Sequence, residues 1–292
     1  MSVLLDITHT TRYRFAQPVQ LGEHRVMFRP RDSHDLRVLA TDLAVNPAPA
    51  DIRLVQDVFS NSIAIVQPAT PAAELELVAS FTVEHTGTRA LDLPLDASVQ
   101  CWPFQYAAQE QGALAAYLAP TYDDPAGTLG AWARAFAGTG GGTLDILVAI
   151  TGHIRHTMLY QVRHEEGVQT PYETLARGSG TCRDFATLML EAVRHLGFAA
   201  RFVSGYLYSQ ALDPGQTGNT AAGATHAWVQ VYLPGAGWLP FDPTNNLIGG
   251  NQLVRVGVAQ HAAQAQPVSG LWYGFPGDFL GMDVDVQVRQ RA

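Results

Sequence analysis

The chain has 292 residues, 47% hydrophobic and 15% charged, enough apolar material for a sizeable core and a composition that excludes disorder as the dominant state. Its 18 Lys and Arg stand against 26 Asp and Glu, and the formal net charge of -8 offers nucleic-acid phosphates no general basic surface. The start, MSVLLDITHTTRYRF, lacks the basic and then apolar layout of a signal peptide, and no apolar run approaches the roughly 18 residues of a membrane helix, so a cytoplasmic protein without nucleic-acid or membrane partners is expected.

Residues 1 to 90 read as strands. Leu75, Leu77, Ala79, Phe81 and Val83 alternate with Glu74, Glu76, Ser80, Thr82 and Glu84, the pattern of a strand with one buried and one wet face. Weaker strand signals cover 5–15, 36–45 and 52–66, and Pro18, Pro30, Pro47 and Pro68 are placed to end them. Short strands separated by turn residues predict an antiparallel β-sandwich. After residue 100 the spacing becomes helical, over 113–118, 129–136 and through Leu144, Leu147, Ile150 and Ile154. Gly138–Gly142 reads as a connector, because it lacks the lysine and preceding strand of a phosphate loop.

Phe185, Leu188, Met189, Ala192 and Leu196 then form one apolar stripe, with Thr181 as a candidate N-cap and Gly197 placed for a left-handed C-cap. Runs at 199–208, 226–233 and 238–242 read as strands, the last two joined by a turn at Pro234-Gly235-Ala236-Gly237. A helix followed by antiparallel strands is the expected core.

The two cysteines, Cys101 and Cys182, make no disulfide framework, thiolate-rich zinc site or iron–sulfur centre. Cys182 lies at the predicted helix start, after Gly178-Ser179-Gly180, where free amides and the helix dipole favour a thiolate. Taken alone it reads more readily as a small buried hydrophobe, the usual fate of a free cysteine. His226 is a candidate general base and acid, and Asp242 a candidate for orienting its imidazole; separately these are an ordinary strand-end histidine and an Asp-Pro turn.

The hairpin imposes a geometric condition on this pair. A four-residue loop at 234–237 pairs 229 with 242 and turns Asp242 away from His226. A three- or five-residue loop instead sets Asp242 opposite Trp228, a same-face diagonal neighbour of His226. An odd loop is therefore expected, with Trp228 as a wall of the site. Arg183 and Asp184 are expected to brace the helix start; Asp184 suits the dipole, whereas Arg183 needs an acidic partner. His153 and His156 have metal-like spacing without a third ligand, and 164–166 reads as a solvated turn.

The ordered set Gly180-Thr-Cys-Arg-Asp-Phe-Ala186, Arg194-His-Leu-Gly-Phe-Ala-Ala-Arg-Phe-Val-Ser-Gly-Tyr206, His226-Ala-Trp228 and Gly237-Trp-Leu-Pro-Phe-Asp-Pro-Thr-Asn245 resembles the bacterial transglutaminase-like superfamily, whose members are often described as cysteine proteases. The resemblance implies an α+β, papain-like catalytic core behind an N-terminal β-rich region, with Cys182 as nucleophile, His226 as general base and acid, and Asp242 as orienter. Thr181 departs from the hydrophobic or glycine residue the family often has there, and 246–265 departs further. The expected organisation is a β-sandwich at 1–90, a catalytic core at 100–246 and an extension with a terminal strand at 247–292. Trp228, Gly180 and Thr181 are expected to line the substrate pocket. The expected reaction is cysteine-dependent hydrolysis of a peptide, protein or small amide through a thioester, without cofactor or metal. Glutamine amine transfer and a non-catalytic peptide-binding module are the alternatives.

Overall fold

The computed structural model describes residues 2–87, 91–138, 141–163, 165, 167–208 and 225–291; residues 139, 140, 164 and 166, within the expected connector and solvated turn, lie outside them. The protein is α+β. Five strands come first: β1 (Val3–Val26), β2 (Leu36–Asn46), β3 (Pro49–Gln56), β4 (Ser62–Pro68) and β5 (Ala72–His85). They form an antiparallel array in the order β2-β5-β1-β4-β3. The first part of β1 pairs with β5 and its last residues with β4, so one long strand serves two sheets. Phe28, Leu43, Ile63 and Phe81 of these sheets line a common groove.

Two sequence expectations are corrected here. Pro18 does not end the first strand; it lies inside β1, where the pairing with β5 shifts register between Arg14 and Val19 and a missing N–H is tolerated. The run 52–66 is a hairpin rather than one strand, because Asp57 Oδ1 accepts from Phe59 N at 2.9 Å and Asn61 N at 2.8 Å and turns the chain.

The second unit contains α1 (Ala108–Leu118), α2 (Thr128–Arg134), α3 (Thr143–Thr157), β6 (Leu159–Tyr160), α4 (Pro171–Arg177), β7 (Ser179–Gly180) and α5 (Cys182–His195). The strands β8 (Ala200–Leu207), β9 (His226–Leu233), β10 (Gly237–Asp242), β11 (Leu247–Ile248) and β12 (Leu253–Ala259) make an antiparallel sheet ordered β11-β10-β9-β8-β12. The apolar stripe of α5, including Leu188, Met189 and Ala192, joins Ala227, Val229 and Val231 of β9 in the main core. Gly197, with φ of 86°, sits just past the helix end in the left-handed region. His153 sets its ring against Trp132 and Phe136, at 5.8 and 5.0 Å between centroids.

The chain then returns to the first unit. The last strands, β13 (Val268–Tyr273) and β14 (Phe279–Gln290), both pair with β1, while β12 pairs with β8, so 247–292 is shared between the two sheets. Buried polar contacts knit the units together. The Asn61 side chain donates to Val258 O at 2.8 Å and accepts from Val258 N at 2.9 Å, beside the register shift of β12 at Gly257. Tyr206 donates to Phe28 O at 2.8 Å and lies 3.0 Å from His9 Nδ1; burial lowers the His9 pKa to about 3, so this imidazole is neutral.

Gly205 faces His226 in the β8–β9 ladder and Arg255 in the β8–β12 ladder. A Cβ there would collide with the Val254 carbonyl oxygen and the Trp228 ring. Gly205→Ala is expected to destabilise the protein by about 3 kcal/mol, the upper end of an overpacking cost, read as a lower urea midpoint.

Candidate active site

Cys182 is the first residue of α5 and only 7% exposed. The helix begins here because Thr181 and Asp184 form a reciprocal capping box: the Thr181 hydroxyl accepts from Asp184 N, and the Asp184 carboxylate accepts from Thr181 N at 2.8 Å. As the first helical residue, Cys182 has an N–H without an intrahelical acceptor. The dipole and free amides expected at Cys182 are therefore in place around its thiol.

Asp184 does more than cap. Its side chain has no exposed surface, and it accepts from Arg163 Nε at 3.0 Å, Arg163 Nη2 at 3.1 Å and Gln169 N at 2.7 Å. Burial raises its pKa, but Arg163, the amides of Thr181 and Gln169 and the Thr181 hydroxyl outweigh that and hold it below the usual carboxylate value. Arg183 braces differently from the expectation. It donates to Ala262 O at 2.8 Å and lies over Phe202 at 5.6 Å, so its partners are a carbonyl and a ring rather than an acid.

His226 opens β9 and Asp242 closes β10. Gly237 pairs with Leu233, leaving a three-residue loop, Pro234–Ala236, and the register carries Phe241 opposite Val229. Asp242 thus falls on the diagonal of His226, and Nε2 of the imidazole lies 2.8 Å from Asp242 Oδ2 with both side chains wholly buried. Asp242 Oδ1 accepts from Thr244 N at 2.9 Å and Asn245 N at 3.3 Å.

Asn245 Nδ2 donates to Asp242 Oδ2 at 2.9 Å and lies 3.3 Å from His226 Nε2. The sequence reading quoted Asn245 within the motif but gave it no role. An amide two residues after an Asp-Pro step is the local signal, since such a turn folds back on its own carboxylate.

Burial opposes charging of His226, yet Asp242 and then Cys182 outweigh it and push the pKa up to about 10; the same pairing holds Asp242 low against its own desolvation. Nδ1 of His226 has no hydrogen-bond partner of normal geometry. One nitrogen is therefore fixed by Asp242, and the other has no hydrogen-bond partner among the described residues.

Trp228 and Gly180 are placed otherwise than expected. Trp228 has no exposed surface, stacks on the His226 ring with centroids 6.0 Å apart, and packs with Val203, Leu207, Leu253 and Val258. It supports the imidazole from inside, because the cluster it forms on its side of the sheet is packed over by Phe59 and Leu247. Gly180 is buried in β7, and a Cβ there would stand 2.8 Å from that of Asp184, so its small size serves the helix cap rather than a substrate. Thr181 is half-buried as the cap itself. Tyr160, which the sequence reading passed over, lies opposite Gly180 in the parallel pair β6–β7. Burial, then the neighbouring Cys182 and Asp184, push its phenol up to about 12, so a neutral hydroxyl-bearing ring flanks the thiol. Cys101 is exposed and forms an isolated bridge with Gly142.

The comparisons with known proteins agree with this architecture. Residues 5–84 match the bacterial transglutaminase-like N-terminal region, and residues 130–243, which span Cys182, His226 and Asp242, match the transglutaminase-like superfamily. The chain belongs to the transglutaminase-like superfamily. An uncharacterised protein of Mycobacterium tuberculosis is 27% identical over 275 residues, covering 91% of this chain and 87% of that one. A protein-glutamine gamma-glutamyltransferase of Pseudomonas aeruginosa is 33% identical over 104 residues, 34% of this chain and 15% of that enzyme. A proposed cysteine protease of Cytophaga hutchinsonii shares the fold at a TM-score of 0.73 and 19% identity, over 99% of this chain and 91% of that one.

Proposed function

We propose that the protein is a cysteine-dependent amidohydrolase that cleaves a peptide or amide bond through a thioester on Cys182. The observation that carries this is the buried His226–Asp242 pair, with Nε2 bound at 2.8 Å and Nδ1 unpartnered beside a cysteine at a helix start. His226, whose raised pKa keeps it charged, holds the proton in the resting pair, and the Cys182 sulfur attacks the carbonyl carbon as a thiolate. The backbone N–H of Cys182 is the first oxyanion donor, since it has no acceptor in α5. As the tetrahedral adduct collapses, the C–N bond breaks, the imidazolium gives its proton to the leaving nitrogen, and the acyl group stays on sulfur. His226 then deprotonates a water that attacks the thioester, releasing a carboxylic acid and restoring the thiol.

Amine transfer is the second reading, favoured by the segment shared with the Pseudomonas aeruginosa glutamyltransferase. It uses the same acyl-enzyme and differs only in the nucleophile that resolves it, an amine giving a new amide.

The test is mass spectrometry of a peptide library after incubation with the protein, with and without a primary amine, and with Cys182→Ala as control. Shortened peptides, or a gain of about one dalton at glutamine, that disappear in Cys182→Ala identify hydrolysis; an amine adduct on glutamine identifies transfer. Alkylation by iodoacetamide gives an independent check. Cys182 is buried and Cys101 exposed, so faster labelling of Cys182 is expected only if the thiol is activated. Equal or slower labelling, together with unchanged peptides, rejects the enzyme.

A further inference from the structure

At the turn end of the β9–β10 hairpin, opposite the end that holds His226 and Asp242, a cavity of about 240 Å³ lies between residues 31–35 of the first unit and the core sheet. Arg31, Arg201 and Arg255 all line it. Only one of the three has a carboxylate. Arg255 holds Asp35 through Nη1 at 2.9 Å and Nη2 at 2.6 Å, and also donates to Ser33 Oγ. Arg201 lies flat on Trp238 at 4.2 Å and donates Nε to Gln230 Oε1 at 3.0 Å. Arg31 donates Nη1 to Asn61 Oδ1 at 2.8 Å and to Phe59 O at 3.1 Å. Asp32, also on the lining, is engaged by Arg29 at 3.2 Å. Among the described residues neither Arg31 nor Arg201 has a carboxylate within ion-pair distance.

Two guanidiniums are thus held in a partly buried cavity with most of their N–H donors free of acceptors among the described residues and a third cation beside them. Burial, then Arg31 and Arg255, lower the Arg201 pKa to about 9; burial and Arg255 lower that of Arg31 against the opposing field of Asp57, which is itself paired with Arg25. Such an arrangement is costly by itself and is relieved by an anion. The excess is two positive charges, so a dianion balances it. Guanidinium forks favour planar or tetrahedral oxyanions, and a cavity below the roughly 300 Å³ of drug-sized ligand sites suits a single ion. Gln230 is four residues from His226, about 13 Å along β9, which separates the cavity from the thiol.

We propose that this cavity is a binding site for a tetrahedral dianion of the inorganic phosphate type, which clamps residues 31–35 of the first unit to the core sheet.

The experiment is calorimetric titration of the full chain with inorganic phosphate at pH 7.5, with sulfate and acetate at matched ionic strength, alongside thermal melts. Saturable binding of phosphate and sulfate, a rise in Tm not given by acetate, and the same behaviour in Cys182→Ala are expected. Arg201→Gln and, separately, Arg31→Gln should weaken phosphate binding at least tenfold, the loss of about one charge-assisted contact. The proposal is overturned if acetate matches phosphate, or if both variants bind phosphate as the wild type does. Since Cys182→Ala lacks the thiol, failure of the phosphate site is distinguishable from failure of the amidohydrolase reading.

Discussion

Asp242→Asn is expected to leave a folded protein whose kcat falls about 10³–10⁴-fold, with little change in KM. The carboxylate is isosteric with the amide that replaces it, but Oδ2 accepts from Asn245 Nδ2 and faces His226 Nε2. If the introduced NH₂ takes that position, it meets two donors. If the introduced oxygen takes it, the NH₂ meets the amides of Thr244 and Asn245, which now donate to Oδ1. Either way the imidazole loses the charge that holds its pKa up near 10 and the anchor that reserves Nδ1 for the thiol.

The pH dependence has a definite sign. His226 has a folded pKa above its ordinary 6.5, so it contributes stability that is full below about 6.5 and lost as pH rises through about 10. Asp242 has a lowered folded pKa, so its contribution is present above about 3.8 and lost as pH falls. The stability difference between wild type and Asp242→Asn should therefore be widest from about pH 4 to 6.5 and narrow on both sides, measured by urea unfolding across pH. A kcat within tenfold of wild type would remove Asp242 from the mechanism.

Asp184→Ala is expected to have the largest effect on stability, a loss of about 3–5 kcal/mol. The substitution leaves Arg163, only 14% exposed, without its buried partner, and strips acceptors from the amides of Thr181 and Gln169. Equilibrium urea unfolding should show a lower midpoint with an unchanged slope. Asp184 also has a lowered pKa, so its contribution is present above about 3.8 and disappears as the solution is acidified through its folded value. Alkylation of Cys182 in the folded variant would report whether the helix start still presents the thiol. A destabilisation below about 1 kcal/mol would mean that solvent replaces Arg163 and the amides at no cost.

The parts of the site that the sequence disclosed are those fixed by local rules. The stripe from Phe185 to Leu196 placed a helix, the start of that helix placed Cys182, and the need for Asp242 to reach His226 called for an odd loop of three or five residues, of which the structure has three. What escaped depends on contacts distant in the chain. Nothing near Asp184 shows that Arg163 closes on it, and Tyr160 reaches the thiol only because β6 pairs in parallel with β7. The burial of Trp228 follows from Phe59 and Leu247 packing over its cluster, which alternation within β9 does not reveal. The helix α4 was missed although its capping box, Thr170 with Glu173 and Pro171 between them, is written in the sequence. In the first unit, strand periodicity was readable in β5, whereas the two-sheet course of β1 was masked by Pro18, a residue that normally ends a strand.

The pairing of β14 with β1, from Leu5 against Gln290 to Phe15 against Phe279, has a consequence for how the chain assembles. Closing the loop from Phe15 to Phe279 carries a larger entropic cost, and is slower, than forming the local hairpins. During synthesis the first strand must wait, one edge unprotected, until the last strands leave the ribosome, whereas the helices and hairpins of the thiol unit can form as they emerge. A fragment cut after residue 90 would carry that bare edge permanently and would be prone to self-association. Of the two units, the one that comes first along the chain is thus the one completed last.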